Sequence, residues 1–229
     1  MVPKDLPRMT PPQSGMGARQ QGFRAGARAI ALLLAPLALP ICTASVCTSD
    51  PQPAEHRHEF EFYAGYSPVS TTLIGTTSGR RFIAAGFGYS YRCWAWTPVS
   101  ISFTPGVMPA AVLVQPGTNL SGASRAVYGF GITPVGFRVE FLRSRSIYPF
   151  FQTDGGIVAS TQPIPENVVN ATALNFLVDF GAGVRWHPES RRFGFELGYK
   201  LLHISNAYTT PVNPGVDNNV FYTGFLIFR

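Results

Sequence analysis

This chain is short of charge. Only 13% of its 229 residues are Asp, Glu, Lys or Arg, about half the ~25% usual in a soluble domain. A surface so poorly charged implies that something other than water touches much of it. Cysteine is scarce as well. Cys42, Cys47 and Cys93 form no Cys/His cluster with zinc spacing and read as unpaired thiols, so neither a disulfide framework nor a structural metal organises the fold. Long apolar runs are missing too. AIALLLAPLALPI at 29–41 carries Pro36 and Pro40 and falls short of the ~20 residues of a spanning helix. Nor is the basic balance evenly spread. The net charge is +6, but residues 1–44 hold Lys4, Arg8, Arg19, Arg24 and Arg28 against Asp5 alone. The remainder is close to neutral, which excludes a nucleic-acid partner.

What that leader does contain is a basic stretch, a short apolar core and the small residues Thr43, Ala44 and Ser45. These are the three parts of a secretory signal peptide. The length of the basic part makes Met9 and Met16 alternative starts, and Ile41 before Cys42 fits a lipoprotein signal poorly. The expected organisation is a signal peptide at 1–44, a flexible segment at 45–57 and one domain at 58–229.

The exported part is a series of alternating runs. In ALNFLVDFGAGVRWH, Leu174, Phe176, Val178, Phe180, Ala182, Val184 and Trp186 share one face; Asn175, Leu177, Asp179, Gly181, Gly183, Arg185 and His187 share the other. Period two held this long marks a strand well beyond the usual ~5–6 residues. RFGFELGYKLLHISNA repeats it, with Phe193, Phe195, Leu197, Tyr199 and Leu201 opposite Arg192, Gly194, Glu196, Gly198 and Lys200. Alternation alone fits two folds. A soluble sandwich turns the greasy face inward, whereas an outer-membrane barrel turns it to lipid and encloses the charged face. The export signal, the strand length and the 13% aromatic content favour the barrel.

Such runs fall at 58–67, 80–91, 96–105, 125–141, 147–160, 172–187, 191–206 and 218–228, and eight is about the smallest number that closes. Short turns at 142–146 and 188–191 alternate with a longer loop at 161–170, as periplasmic turns and outer loops do. The fold class expected is all-β, an eight-stranded antiparallel transmembrane β-barrel of the outer membrane with a polar interior. Inside it Asp179, Glu196, Lys200 and Arg185 are expected to pair, since charges in a narrow bore must.

At the end of the seventh run stands HISNAYTTPVNPGVD, residues 203–217. His203 and Ser205 continue the lipid-facing series that runs from Phe195 through Leu201, which sets them at the outer rim. Serine is a weak nucleophile and needs a histidine to take its proton. An acid then fixes the imidazole tautomer and stabilises the imidazolium. Asp217 is expected to return toward His203 from a tight loop built on Pro211, Asn213, Pro214 and Gly215. No metal or organic cofactor is called for.

HISNA followed by NPGVD resembles the signature of the outer-membrane lipid A 3-O-deacylases, the PagL family. The resemblance is concentrated in residues 172–228. It implies an eight-stranded barrel of the cell outer membrane whose serine esterase site removes the 3-position acyl chain of lipid A in lipopolysaccharide. It further implies His203 as general base, Ser205 as nucleophile, Asn206 as a contributor to the oxyanion hole and Asp217 in the place of the orienting acid. Characterised members of the family carry glutamate there, and aspartate is one methylene shorter. The implied partners are lipid A and outer-membrane lipid, with monomer and homodimer both open. Two readings compete. A non-enzymatic small barrel, adhesin or structural protein, needs no serine, and Asp217 would then merely cap its loop. A calcium-dependent outer-membrane phospholipase also sets Ser and His on a barrel wall, but it needs about twelve strands.

Overall fold

The computed structural model describes residues 57–96, 98–116, 125–141, 145–166, 168–188 and 191–229. The expected signal peptide, nearly all of the segment after it, and Cys42 and Cys47 lie outside them. The strands are β1 (His58–Ser67), β2 (Ser70–Thr71), β3 (Arg81–Trp96), β4 (Val99–Phe103), β5 (Gly106–Gln115), β6 (Arg125–Phe141), β7 (Ile147–Ile164), β8 (Thr172–Trp186), β9 (Phe193–Ser205) and β10 (Gly215–Phe228). The long strands pair antiparallel in chain order, and β1 pairs with both β3 and β10. The sheet thus closes on itself, giving partners to main-chain groups that hydrocarbon could not satisfy. β4 and β5 lie end to end between β3 and β6, and β2 is a short addition to β10. The wall therefore has eight staves, as the alternation predicts.

The third stave differs from the expectation. The alternation sets it at 96–105, yet it continues through β5 to Gln115. The interruption falls at Thr104–Pro105, where proline offers no N–H to a ladder and Thr104 N donates to Gly136 O at 2.8 Å. GVMPAAVLVQ escapes the period-two test because apolar residues occupy both its faces.

Which face is outside decides between barrel and sandwich. Phe62, Phe87, Tyr128, Phe130, Phe151, Phe176, Phe180 and Phe221 are exposed, while Arg138, Arg185, Glu140, Glu196, Asp154, Asp179 and Lys200 are buried. A water-facing sandwich would reverse this; a lipid-facing barrel requires it. The start of β1 and the end of β10 meet at one rim, the terminal rim, where His58 N donates to Arg229 O at 3.0 Å and Arg229 N to His58 O at 2.7 Å. Aromatic rings gather near that rim, including the stacked pairs Trp94–Trp96 and Trp186–Phe195. The connection from β9 to β10 lies at the other.

The bore is layered. Toward the terminal rim, the wholly buried Arg185 donates to Glu59, Glu140 and Glu196 over 2.6 to 2.9 Å. Arg138 joins it through Glu59 and Glu61. Lys200 Nζ stands 3.0 Å from Asp179 Oδ2. The network expected among Asp179, Glu196, Lys200 and Arg185 is present, divided into an Arg185–Glu196 and a Lys200–Asp179 pair. Toward the opposite rim the interior is not polar, against expectation. Phe82, Leu113, Val127, Leu177, Leu202, Ile204 and Val216 form an apolar plug there. Between the layers a cavity of about 30 Å³, bordered by Asp154, Asp179, Lys200 and Leu202, has room for about one water. The plug separates it from the rim where β9 ends.

Candidate active site

The site forms where two adjacent staves leave and re-enter the sheet. β9 ends at Ser205 and β10 begins at Gly215, and the antiparallel register sets Gly215 opposite Ser205 and Asp217 opposite His203. Asp217 is thus a strand residue, one position before the expected start of the last strand and not in the loop. Directly opposed residues hold their Cβ atoms about 4.5–5.5 Å apart, a span that a short acid bridges. His203 Nδ1 lies 2.6 Å from Asp217 Oδ1, and His203 Nε2 lies 3.0 Å from Ser205 Oγ. The missing methylene is therefore no obstacle to contact.

The tautomer follows from the partners. Asp217 Oδ2 accepts main-chain N–H bonds from Ile74 at 2.6 Å and Gly75 at 2.8 Å. A carboxylate taking two amides on one oxygen acts as an acceptor at the other as well, so Nδ1 of His203 carries the hydrogen. Nε2 is left as the acceptor for the Ser205 hydroxyl. All three side chains are buried, with Asp217 fully so. Exclusion of water strengthens the attraction between an imidazolium and its carboxylate.

The three stand on the outward face of the wall. Inward-pointing Leu202 and Ile204 alternate with His203 and Ser205 on β9 and join the apolar plug. Phe176, half exposed, is the cross-strand neighbour of Ser205 on β8. From there the exposed apolar surface continues along β8 and β9 through Phe180, Leu197, Val184 and Phe195.

Asn206 has a different local task. Its Nδ2 donates toward Asn170 O at 3.0 Å, Thr210 Oγ1 at 2.6 Å and Val212 O at 3.0 Å, while its Oδ1 accepts from Tyr208 N at 3.0 Å. Two amide hydrogens facing three acceptors leave none for a substrate. The side chain instead ties the 206–214 connection to the β7–β8 loop. It also supports Ala207 and Tyr208, which adopt positive φ of 49° and 62°, an Asx-type turn that a nearby amide favours.

The alternation gave no hint of the segment that grips Asp217. Residues 72–80, reached from β1 through β2, cross to the β10 end: Thr76 N and Thr77 N donate to Gly215 O at 3.0 and 3.1 Å, and Thr77 bridges Val216. The backbones approach closely at Gly75 and Gly215. A Cβ added to Gly75 would stand 2.5 Å from Gly215 O, and one added to Gly215 would stand 2.6 Å from His203 Cε1. The only signal in the sequence is the run STTLIGTTSG, short hydroxyl side chains and glycines suited to turns and close contact.

The family model for lipid A 3-O-deacylase (PagL) matches residues 83–225, more than half of the chain and including His203, Ser205, Asn206 and Asp217. No curated protein sequence matches the chain. Among solved structures, the crystal structure of the outer membrane enzyme PagL superposes with a TM-score of 0.54 at 17% identity, covering 73% of this chain and 98% of that one. Neisserial surface protein A aligns at 9% identity and a TM-score of 0.47, over 77% of this chain and 100% of its own. The outer membrane protein OprG from Pseudomonas aeruginosa aligns at 9% identity and 0.38, over 79% and 100%. With its eight closed staves, lipid-facing aromatic wall and a family match over most of the barrel, the chain belongs to the lipid A 3-O-deacylase (PagL) family of the outer membrane.

Proposed function

We propose that the protein is a serine esterase that removes the 3-O-linked acyl chain of lipid A, with Ser205 as nucleophile, His203 as base and Asp217 as the orienting acid. The observation that carries this reading is the unbroken relay from Asp217 Oδ1 through the His203 ring to Ser205 Oγ, at 2.6 and 3.0 Å. As Ser205 Oγ bonds to the ester carbonyl carbon, its proton passes to His203 Nε2 and the carbonyl oxygen becomes an oxyanion. Collapse expels the 3-oxygen of the sugar, which takes the proton from His203 and leaves an acyl-serine. Water then attacks the acyl-serine with His203 again as base, releasing the fatty acid and restoring Ser205. With the Asn206 side chain committed to its loop, the oxyanion falls to main-chain donors, the Asn206 N–H being the adjacent one. The departing chain lies on the exposed apolar strip from Phe176 toward Phe180 and Leu197, so a substrate held in the outer leaflet reaches Ser205 from the side.

The deciding experiment uses protein refolded in detergent and purified lipid A, read by mass spectrometry, with Ser205→Ala in parallel. Loss of one 3-hydroxyacyl mass in the wild type alone supports the reading. An unchanged spectrum from a folded wild type would return the barrel to a binding or structural role.

A second expectation concerns Gly215. Because an added methyl would meet His203 Cε1 at 2.6 Å, Gly215→Ala should displace the ring and lower kcat about 10²-fold, the scale of an ångström misplacement. Turnover measured beside the gel-mobility shift of the folded barrel checks it; full activity would mean that the ring position matters less than the geometry implies.

A further inference from the structure

We propose that the segment 72–80 is a positioning element of the site, whose Ile74 and Gly75 amides hold Asp217 in the orientation His203 needs and whose Thr77 keeps those amides in place. The inference rests on the serine-esterase reading above and adds to it a part that lies more than a hundred residues away in sequence.

Asp217 is fully buried, so no bulk water competes for its carboxylate. One oxygen is spent on His203 and the other would be an unpaired buried acceptor without the two amides, a costly state. The amides therefore do what solvent does for an exposed acid, and they do it directionally. With Oδ2 pinned by donors at 2.6 and 2.8 Å, rotation of the carboxylate away from the ring would break two bonds at once. Neither barrel wall nor hairpin supplies these donors, because the neighbouring ladder hydrogens lie in the sheet and Asp217 points out of it.

The segment is held by contacts converging on one place. Ser70 and Thr71 pair with Asn218 and Asp217. Thr76 N and Thr77 N both donate to Gly215 O, and Thr77 Oγ1 adds a third donor to the same oxygen at 2.5 Å. Ser70 N and Arg80 O, at 2.6 Å, pin the base of the segment. Every one of these bonds lands within three residues of Asp217 or on β2 beside it. Gly75 is required by the closeness of the approach, since any side chain there would meet the main chain of Gly215.

The test compares Gly75→Ala, Thr77→Val and Thr77→Ser with wild type, Ser205→Ala and Asp217→Ala. All are refolded in detergent and checked for the folded-barrel mobility shift. Two readouts are taken: kcat and KM on lipid A, and the rate at which a p-nitrophenyl phosphonate labels Ser205. A loosened acid slows both without weakening substrate binding. Gly75→Ala is expected to lower kcat about 10²-fold with KM within about 2-fold of wild type. Thr77→Val should lower kcat about 10-fold, less because the amides themselves remain. Thr77→Ser, which keeps the hydroxyl, should restore it, and labelling should slow in the same order. Wild-type kcat and labelling in folded Gly75→Ala and Thr77→Val would overturn the proposal while leaving the esterase intact. If Gly75→Ala does not fold, the Thr77 pair decides alone. Equal behaviour of wild type and Ser205→Ala would instead remove the esterase reading, and this proposal with it.

Discussion

Ser205→Ala is expected to lower the rate of 3-O-ester cleavage by about 10⁶-fold, and adding His203→Ala to that variant is expected to cost almost nothing more. The reason is that the two side chains act as one unit. The hydroxyl is useful only while His203 Nε2, at 3.0 Å, can take its proton, and the ring has no proton to take once the hydroxyl is gone. Asp217→Ala should be milder, about 10⁴-fold, because the ring would remain beside Ser205 but lose its tautomer control and its countercharge. Kinetics of the two single variants and the double variant on lipid A measure the coupling. Additive losses, with the double far below either single, would mean that His203 and Ser205 contribute independently and that the relay is not the mechanism.

The largest effect on stability is expected at the other rim. Arg185 is fully buried and its guanidinium serves three glutamates, Glu59, Glu140 and Glu196. Arg185→Met fills much of the same space with an apolar chain but takes the cation from Glu140 and Glu196 and leaves Glu59 with Arg138 alone. Removing one partner of a buried ion pair costs about 3–5 kcal/mol, and here several carboxylates lose the same partner. Arg185→Lys should fall between, since an ammonium is a point charge and cannot spread its donors over three acids as a planar guanidinium does. Urea unfolding in detergent micelles, followed by the folded-barrel mobility shift, gives the comparison. A cost below about 1 kcal/mol for Arg185→Met would show that Arg138, already paired with Glu59 and Glu61, can balance the layer alone.

The site that depends on this scaffold was unevenly legible. His203 and Ser205 stood out because period two on β9 is regular enough to assign them to the outward face, and the residue types limit what chemistry they can do. Asp217 was visible as an acid, but its distance to His203 was not. That distance follows from the β9–β10 register, which the Asn-Pro-Gly turn residues constrain only loosely. The grip of Ile74 and Gly75 could not be read at all, since it uses main-chain amides, which every residue has, and joins positions brought together only by closure of the barrel. Asn206 is expected in the oxyanion hole, yet its side-chain bonds to Asn170 and Val212 belong to loop packing that no local pattern encodes.

Sequence by itself determined most of the staves, their outward faces, the presence of a charged network in the bore and the choice of Ser205 and His203 as the pair to test. All of these follow from alternation and residue chemistry, which are local. Only the tertiary structure decided that the third stave runs on through β5 and that the bore is sealed by Phe82, Leu113, Leu202 and Ile204. It alone decided that an aspartate at 217 reaches His203, at 2.6 Å. Those outcomes depend on which residues face each other across strands and across the closed ring, and that is set by register and closure rather than by any one segment.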